Sequence, residues 1–193
     1  MLGLEIAAVA FLIVVNGLLA MSEMAIVSSR VSRLKALVEQ EVKGSRRALA
    51  LASDPGRFLS AVQIGITLVG VLSGAFSGAT LGHRFGQWLV AQGLSRELGE
   101  ALGVGAVVVA ITYASLIIGE LVPKQVALRN PEMVAARVAP AMAIVARITS
   151  PLVWLLDTSG KLVLFLLRQQ GVREERVTEE EIKTLIAEAE TSG

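Results

Sequence analysis

Gly119-Glu120-Leu121-Val122-Pro123-Lys124 decides how this chain is read. It follows Ala101–Ile118, a run that is apolar except for Thr112, Tyr113 and Ser115. Such a run predicts a helix across a bilayer, which needs roughly 20 apolar residues. Pro123 has no N–H to give the carbonyl four residues back, that of Gly119, so the helix is weakened where Glu120 stands. Gly119 adds backbone freedom at the same point. A carboxylate beside freed carbonyls, at or inside a membrane edge, points to cation handling.

Composition agrees with a membrane location. The 193 residues are 53% hydrophobic and 18% charged, with a mean hydropathy of +0.64. A soluble domain carries about 25% charged residues. The net charge of +1 gives no field for nucleic acid, so no nucleic-acid partner is expected. There is no cysteine and one histidine, His83, so thiolate and histidine metal sites are excluded. A metal here must be held by oxygen, which selects hard cations such as Mg²⁺, Ca²⁺ or Na⁺. No GxGxxG, P-loop, HExxH or GxSxG pattern occurs, and an enzyme is not expected.

Three segments are long enough to span: Leu4–Ser28, Phe58–Leu81 and Ala101–Val122. The first carries Glu5, lacks a basic leader and is too long for a cleaved signal. Arg30, Arg33, Lys35, Lys43, Arg46, Arg47 and Arg57 lie between the first two spans, but only Arg84 and Arg96 between the second and third. Basic loops stay in the cytoplasm, which predicts an outside N-terminus and a cytoplasmic C-terminus. Residues 133–168 are apolar but contain Pro140 and Pro151, and are expected as two helices against the cytoplasmic side, broken near one of those prolines, with a fourth, kinked span as the alternative. The expected domain is therefore 1–168, followed by an acidic amphipathic linker over 169–193. In that linker Thr178 and Glu181 form a capping box.

Polar groups recur on each span. Asn16 and Glu23 lie two turns apart on one face with Ala20 between them, and Ser22 is adjacent. Ser60, Gln63 and Thr67 repeat at spacings of three and four. One polar stripe on each of three helices is the geometry of a shared cavity. Each stripe alone could be interhelical hydrogen bonding, worth about 1 kcal/mol per bond. Glu23 and Glu120 could equally pair with Arg30 and Lys124. Gly70, Gly74, Gly78, Gly82 and Gly86 recur every fourth residue, a bare face that packs within one bundle or at a dimer seam.

The Asn16–Ala25 stretch with Ser28-Ser29-Arg30, Leu59–Leu68, and Gly119–Lys124 together resemble the transmembrane domain of the CorC/CNNM (cyclin M) magnesium transporter family. The likeness runs over nearly the whole chain, in order. It implies an all-α membrane protein, a homodimer with three spans per subunit plus juxtamembrane helices, in the cell (inner) membrane. It implies Mg²⁺ export driven by Na⁺ entry, and a CBS-pair module beyond the linker, where nucleotide would bind. Matched by position, Asn16, Glu23, Gly119, Glu120 and Pro123 fall on family motif residues; with the nearby Ser22 and Gln63, they give a metal set of Asn16, Ser22, Glu23, Gln63, Gly119 and Glu120. Ala20 departs from the serine of many relatives, and Ser22 is the hydroxyl that could replace it. The competing expectation is a cation-sensing membrane anchor without transport.

Overall fold

The computed structural model describes residues 2–167, and the capping box at Thr178 lies outside them. Among the described residues there are helices and no strands. They are α1 (Leu2–Ser28), α2 (Val31–Glu39), α3 (Ser45–Ser53), α4 (Gly56–Ser77), α5 (His83–Ala91), α6 (Arg96–Leu116), α7 (Val122–Arg129) and α8 (Pro131–Leu166). Two wide π-helical turns, Gly78–Gly82 and Ile117–Leu121, join α4 to α5 and α6 to α7 without ending either rod. Four rods are long and apolar enough to cross a membrane: Leu2–Ser28, Gly56–Ala91, Arg96–Arg129 and Pro131–Leu166.

The expected break at Pro140 or Pro151 is corrected: both prolines sit inside one uninterrupted helix of 36 residues. Pro140 leaves the carbonyl of Ala136 without its usual donor. Gly44, in the left-handed conformation at φ +88°, lies against that oxygen, and a Cβ there would overlap it. A side chain on residue 44 is thus barred twice, by conformation and by contact.

The chain divides into two units, residues 1–153 and the stretch from Trp154. In the second, Trp154, Leu155, Leu156 and Leu162 through Leu167 are all exposed on the helix surface. In the first, the packed core gathers at the end that carries α2 and α3. Its buried members include Leu34, Ala48, Phe58, Val62, Ala127, Ala135 and Ala139, with Leu19, Ala25 and Ile26 from α1. At the same end Glu132 accepts the Arg30 N–H at 3.2 Å and faces the Arg33 guanidinium at 3.9 Å.

The opposite end is tied differently. Arg84 reaches Glu5 at 2.9 Å, fixing α5 to the start of α1. Gln92, Gly93 and Leu94 close α5 in a Schellman turn, with Gly93 at φ +104° and the Leu94 N–H on Leu89 O. Ser95 then caps α6 by accepting the Leu98 N–H. The glycine stripe divides between these two regions. A Cβ on Gly82 or Gly86 would stand 2.9–3.0 Å from the α6 backbone at Val104 and Glu100, so this half packs within the subunit. A Cβ on Gly70 or Gly74 would meet nothing within 4 Å.

Candidate cation site

Asn16 lies near the middle of α1, and at 1.5 Å per residue it is roughly 20 Å from either end of that helix. Gly17 beside it carries no side chain, which lets α1 approach the wide turn of the third rod. A Cβ on Gly17 would stand 3.0 Å from Ile118 O and 3.1 Å from the ring of Pro123. Just ahead of Pro123, which cannot close the ordinary bond to Gly119 O, the Val122 N–H reaches Ile117 O five residues back.

The carbonyl that Pro123 leaves without a helical donor has found another. Asn16 Nδ2 donates to Gly119 O at 3.0 Å, across 103 residues of sequence. Asn16 is only 7% exposed, and its Oδ1 is fully covered with no hydrogen-bond partner among the described residues. A buried amide oxygen is normally paired, so this one is an acceptor waiting for a donor or a cation. A Cβ on Gly119 would press on Asn16 Nδ2 at 3.2 Å and on Ile13 O and Ser115 Oγ at 3.3 Å, which keeps the position bare.

Glu120 is next in the turn and half-buried. Lys124 Nζ donates to its Oε1 at 2.9 Å, one turn on along the same rod. An apolar groove of about 260 Å³ runs beside the Gly17 contact, lined by Val14, Leu18, Met21, Ile118 and Val126.

The other expected ligands are more dispersed. Ser22 is fully buried, but its hydroxyl donates back to Leu18 O at 2.6 Å, leaving lone pairs free to accept. Glu23 is half-buried and forms no ion pair with Arg30 among the described residues. Gln63 and Thr67 are exposed on α4. The subunit therefore brings Asn16 and Gly119 into contact, with Glu120 adjoining, and leaves Gln63 on its outer surface. Among the described residues no cluster of three or more acidic, histidine or cysteine side chains occurs. Sequence reasoning missed the Glu5–Arg84 and Glu132–Arg33 pairs, because bonding partners roughly 80 to 100 residues apart leave no local pattern.

Comparisons with known proteins show which family the chain belongs to. The family profile described as the Cyclin M transmembrane N-terminal domain matches residues 7–193. The chain belongs to that family. It is 44% identical over 190 residues to UPF0053 protein sll0260 of Synechocystis, covering 98% of this chain and 42% of the relative. It is 29% identical to the polyamine export protein of Haemophilus influenzae, over 97% of this chain and 43% of that protein. The polyamine export protein of Escherichia coli K12 is 27% identical over 94% of this chain and 40% of its own length. The chain thus spans less than half the length of these relatives. It is a multi-pass membrane domain of a family with transport-related members.

Proposed function

We propose that this chain is the membrane domain of a Mg²⁺ exporter, coupled to Na⁺ entry, that carries its ion past Asn16, Gly119 and Glu120. The observation that carries the reading is the unpartnered, buried Asn16 Oδ1 beside the one carbonyl that Pro123 frees. Mg²⁺ takes oxygen ligands in octahedral array and keeps several waters, so a few protein oxygens suffice. One carboxylate among neutral oxygens holds the ion loosely enough to release it. Ser22 offers a further oxygen from α1, while Glu23 and Gln63 would join the set only if the helices rearranged. No step calls for a nucleophile, and the domain is a carrier, not an enzyme.

In this proposal α1, the α4–α5 rod and the α6–α7 rod cross the inner membrane, with the N-terminus outside. The basic α2–α3 segment faces the cytoplasm, as the Lys/Arg balance requires. The start of α8 is bound to that segment through Glu132 and through Ala136 against Gly44, which supports placing α8 on the cytoplasmic side. A cysteine at Lys161 should then label from the cytoplasm; labelling from outside would make α8 a fourth span. Two copies pair on the open half of the glycine stripe, Gly70–Gly74, and a nucleotide-binding CBS pair follows the linker.

A second cargo has a specific observation in its favour. Lys124 shows that Glu120 accepts a primary ammonium, and the apolar groove at the Gly17 contact, though not lined by Glu120, suits methylene chains, as a polyamine would present. Two relatives carry polyamine export in their names. Flux in proteoliposomes decides among the readings. Mg²⁺ movement lost in Glu120→Gln supports the first; spermidine movement without Mg²⁺ movement supports the second. Binding without flux of either would leave the sensing anchor.

A further inference from the structure

A second polar feature lies apart from Glu120. Between α4 and α6 a cleft of about 180 Å³ is lined by Ser73, Ser77, Thr112 and Ser115, with Gly70 and Gly74 giving it room. Ser73 is 4% exposed, and its Oγ is covered with no hydrogen-bond partner among the described residues. Ser77, fully buried, has committed its proton to Gly74 O at 3.1 Å and so keeps only lone pairs to offer. No acid or base lines the cleft; its other walls are Val108, Ile111 and Leu116.

The two wide turns bracket the cleft. One begins at Gly78, directly after Ser77, and the other at Ile117, directly after Leu116. Such turns replace regular helical bonds and recur at functional sites. Ser115 also stands at Gly119, 3.3 Å from where a Cβ would be, so the cleft adjoins the Asn16–Gly119 contact without containing the carboxylate.

We infer that this cleft is a binding site for a small monovalent cation of the Na⁺ type, held by hydroxyl oxygens. Polar groups inside a bilayer are kept for pairing or passage, and an orphaned buried hydroxyl there needs a partner. A cation fits better than an anion, because Ser77 presents an acceptor. A divalent ion fits poorly, because Mg²⁺ gives up its water reluctantly and no carboxylate is there to offset the loss. A second copy seated on Gly70 and Gly74 would close the open side. The site does not depend on which cargo Glu120 serves, since no acidic residue is shared.

The test is Na⁺ titration of the full-length chain in lipid nanodiscs, followed by calorimetry at constant ionic strength set with choline chloride. Saturable Na⁺ binding is expected, weakened at least fivefold by Ser73→Ala, recovered in Ser73→Thr, and unchanged in Glu120→Gln. Thr112→Val provides a second weakening variant that leaves the buried face of α4 untouched. Absence of saturable Na⁺ binding would overturn the inference. So would Na⁺ binding that Glu120→Gln abolishes and Ser73→Ala leaves intact, because the ion would then sit at the carboxylate. Mg²⁺ titration of the same variants reports on the Glu120 reading separately, and either can fail alone.

Discussion

Glu120 and Lys124 form a local pair, and breaking it separates two roles for the lysine. If the ammonium occupies a place that cargo must take, Lys124→Met should raise Mg²⁺ affinity severalfold in calorimetry while leaving the protein assembled. A lysine that helps to hold the ion path together would give the opposite result, lower affinity and lower thermal stability. Asn16→Leu removes both the bond to Gly119 O and the unpartnered Oδ1. Mg²⁺ binding should fall at least tenfold, with a stability loss of only about 1 kcal/mol, as expected for one interhelical hydrogen bond in a membrane. Equal affinity in Asn16→Leu and the parent would remove Asn16 from the site. Pro123 made it legible from sequence that the Gly119 carbonyl would need another donor. That Asn16 is the donor was not legible, because the two are 103 residues apart and only the docking of α1 at Gly17 joins them.

Among the elements, the glycine stripe gives the sharpest contrast. A Cβ at Gly103 would fall on the backbone of Gly86, so Gly103→Leu should prevent α5 and α6 from pairing and lower the yield of folded protein. Gly74→Leu meets open space in the subunit. It should leave helicity and melting behaviour intact yet abolish the dimer by native mass measurement; an intact dimer would move the seam elsewhere. The four-residue spacing was readable, but its division between two neighbours was not, since identical residues serve both halves. The prolines of α8 misled for a related reason. A proline weakens a helix locally, yet surrounding contacts can hold it continuous, and Gly44 against Ala136 supplies one such contact. Gly44→Ala should cost about 1–2 kcal/mol from the left-handed backbone alone, and more from the overlap, read as a lower melting temperature.

Across the whole molecule, the buried core sits at the α2–α3 end, while the outer faces of the long rods are apolar and uncovered. Phe58, 1% exposed, anchors that core, and Phe58→Ala should cost about 3–5 kcal/mol. Its effect would show as proteolysis of the α2–α3 segment before the spans themselves are cut. The all-helical architecture and three of the four membrane-length helices were legible because apolar length reports them directly. Which rods touch was not, because lipid-facing and partner-facing apolar residues look alike in a sequence. The wide turn at Ile117–Leu121 also works as a phase shifter between two halves of one rod. Upstream, Gly99 and Gly103 face α5; within the turn and just beyond it, Ile118, Gly119 and Pro123 face α1. An i→i−5 turn takes in one residue more than an ordinary helical turn. Deleting Ile117 should therefore let the rod close as a regular helix with Glu120 and Lys124 near their azimuth, whereas the same deletion in the regular part of α6 would swing both by about 100°.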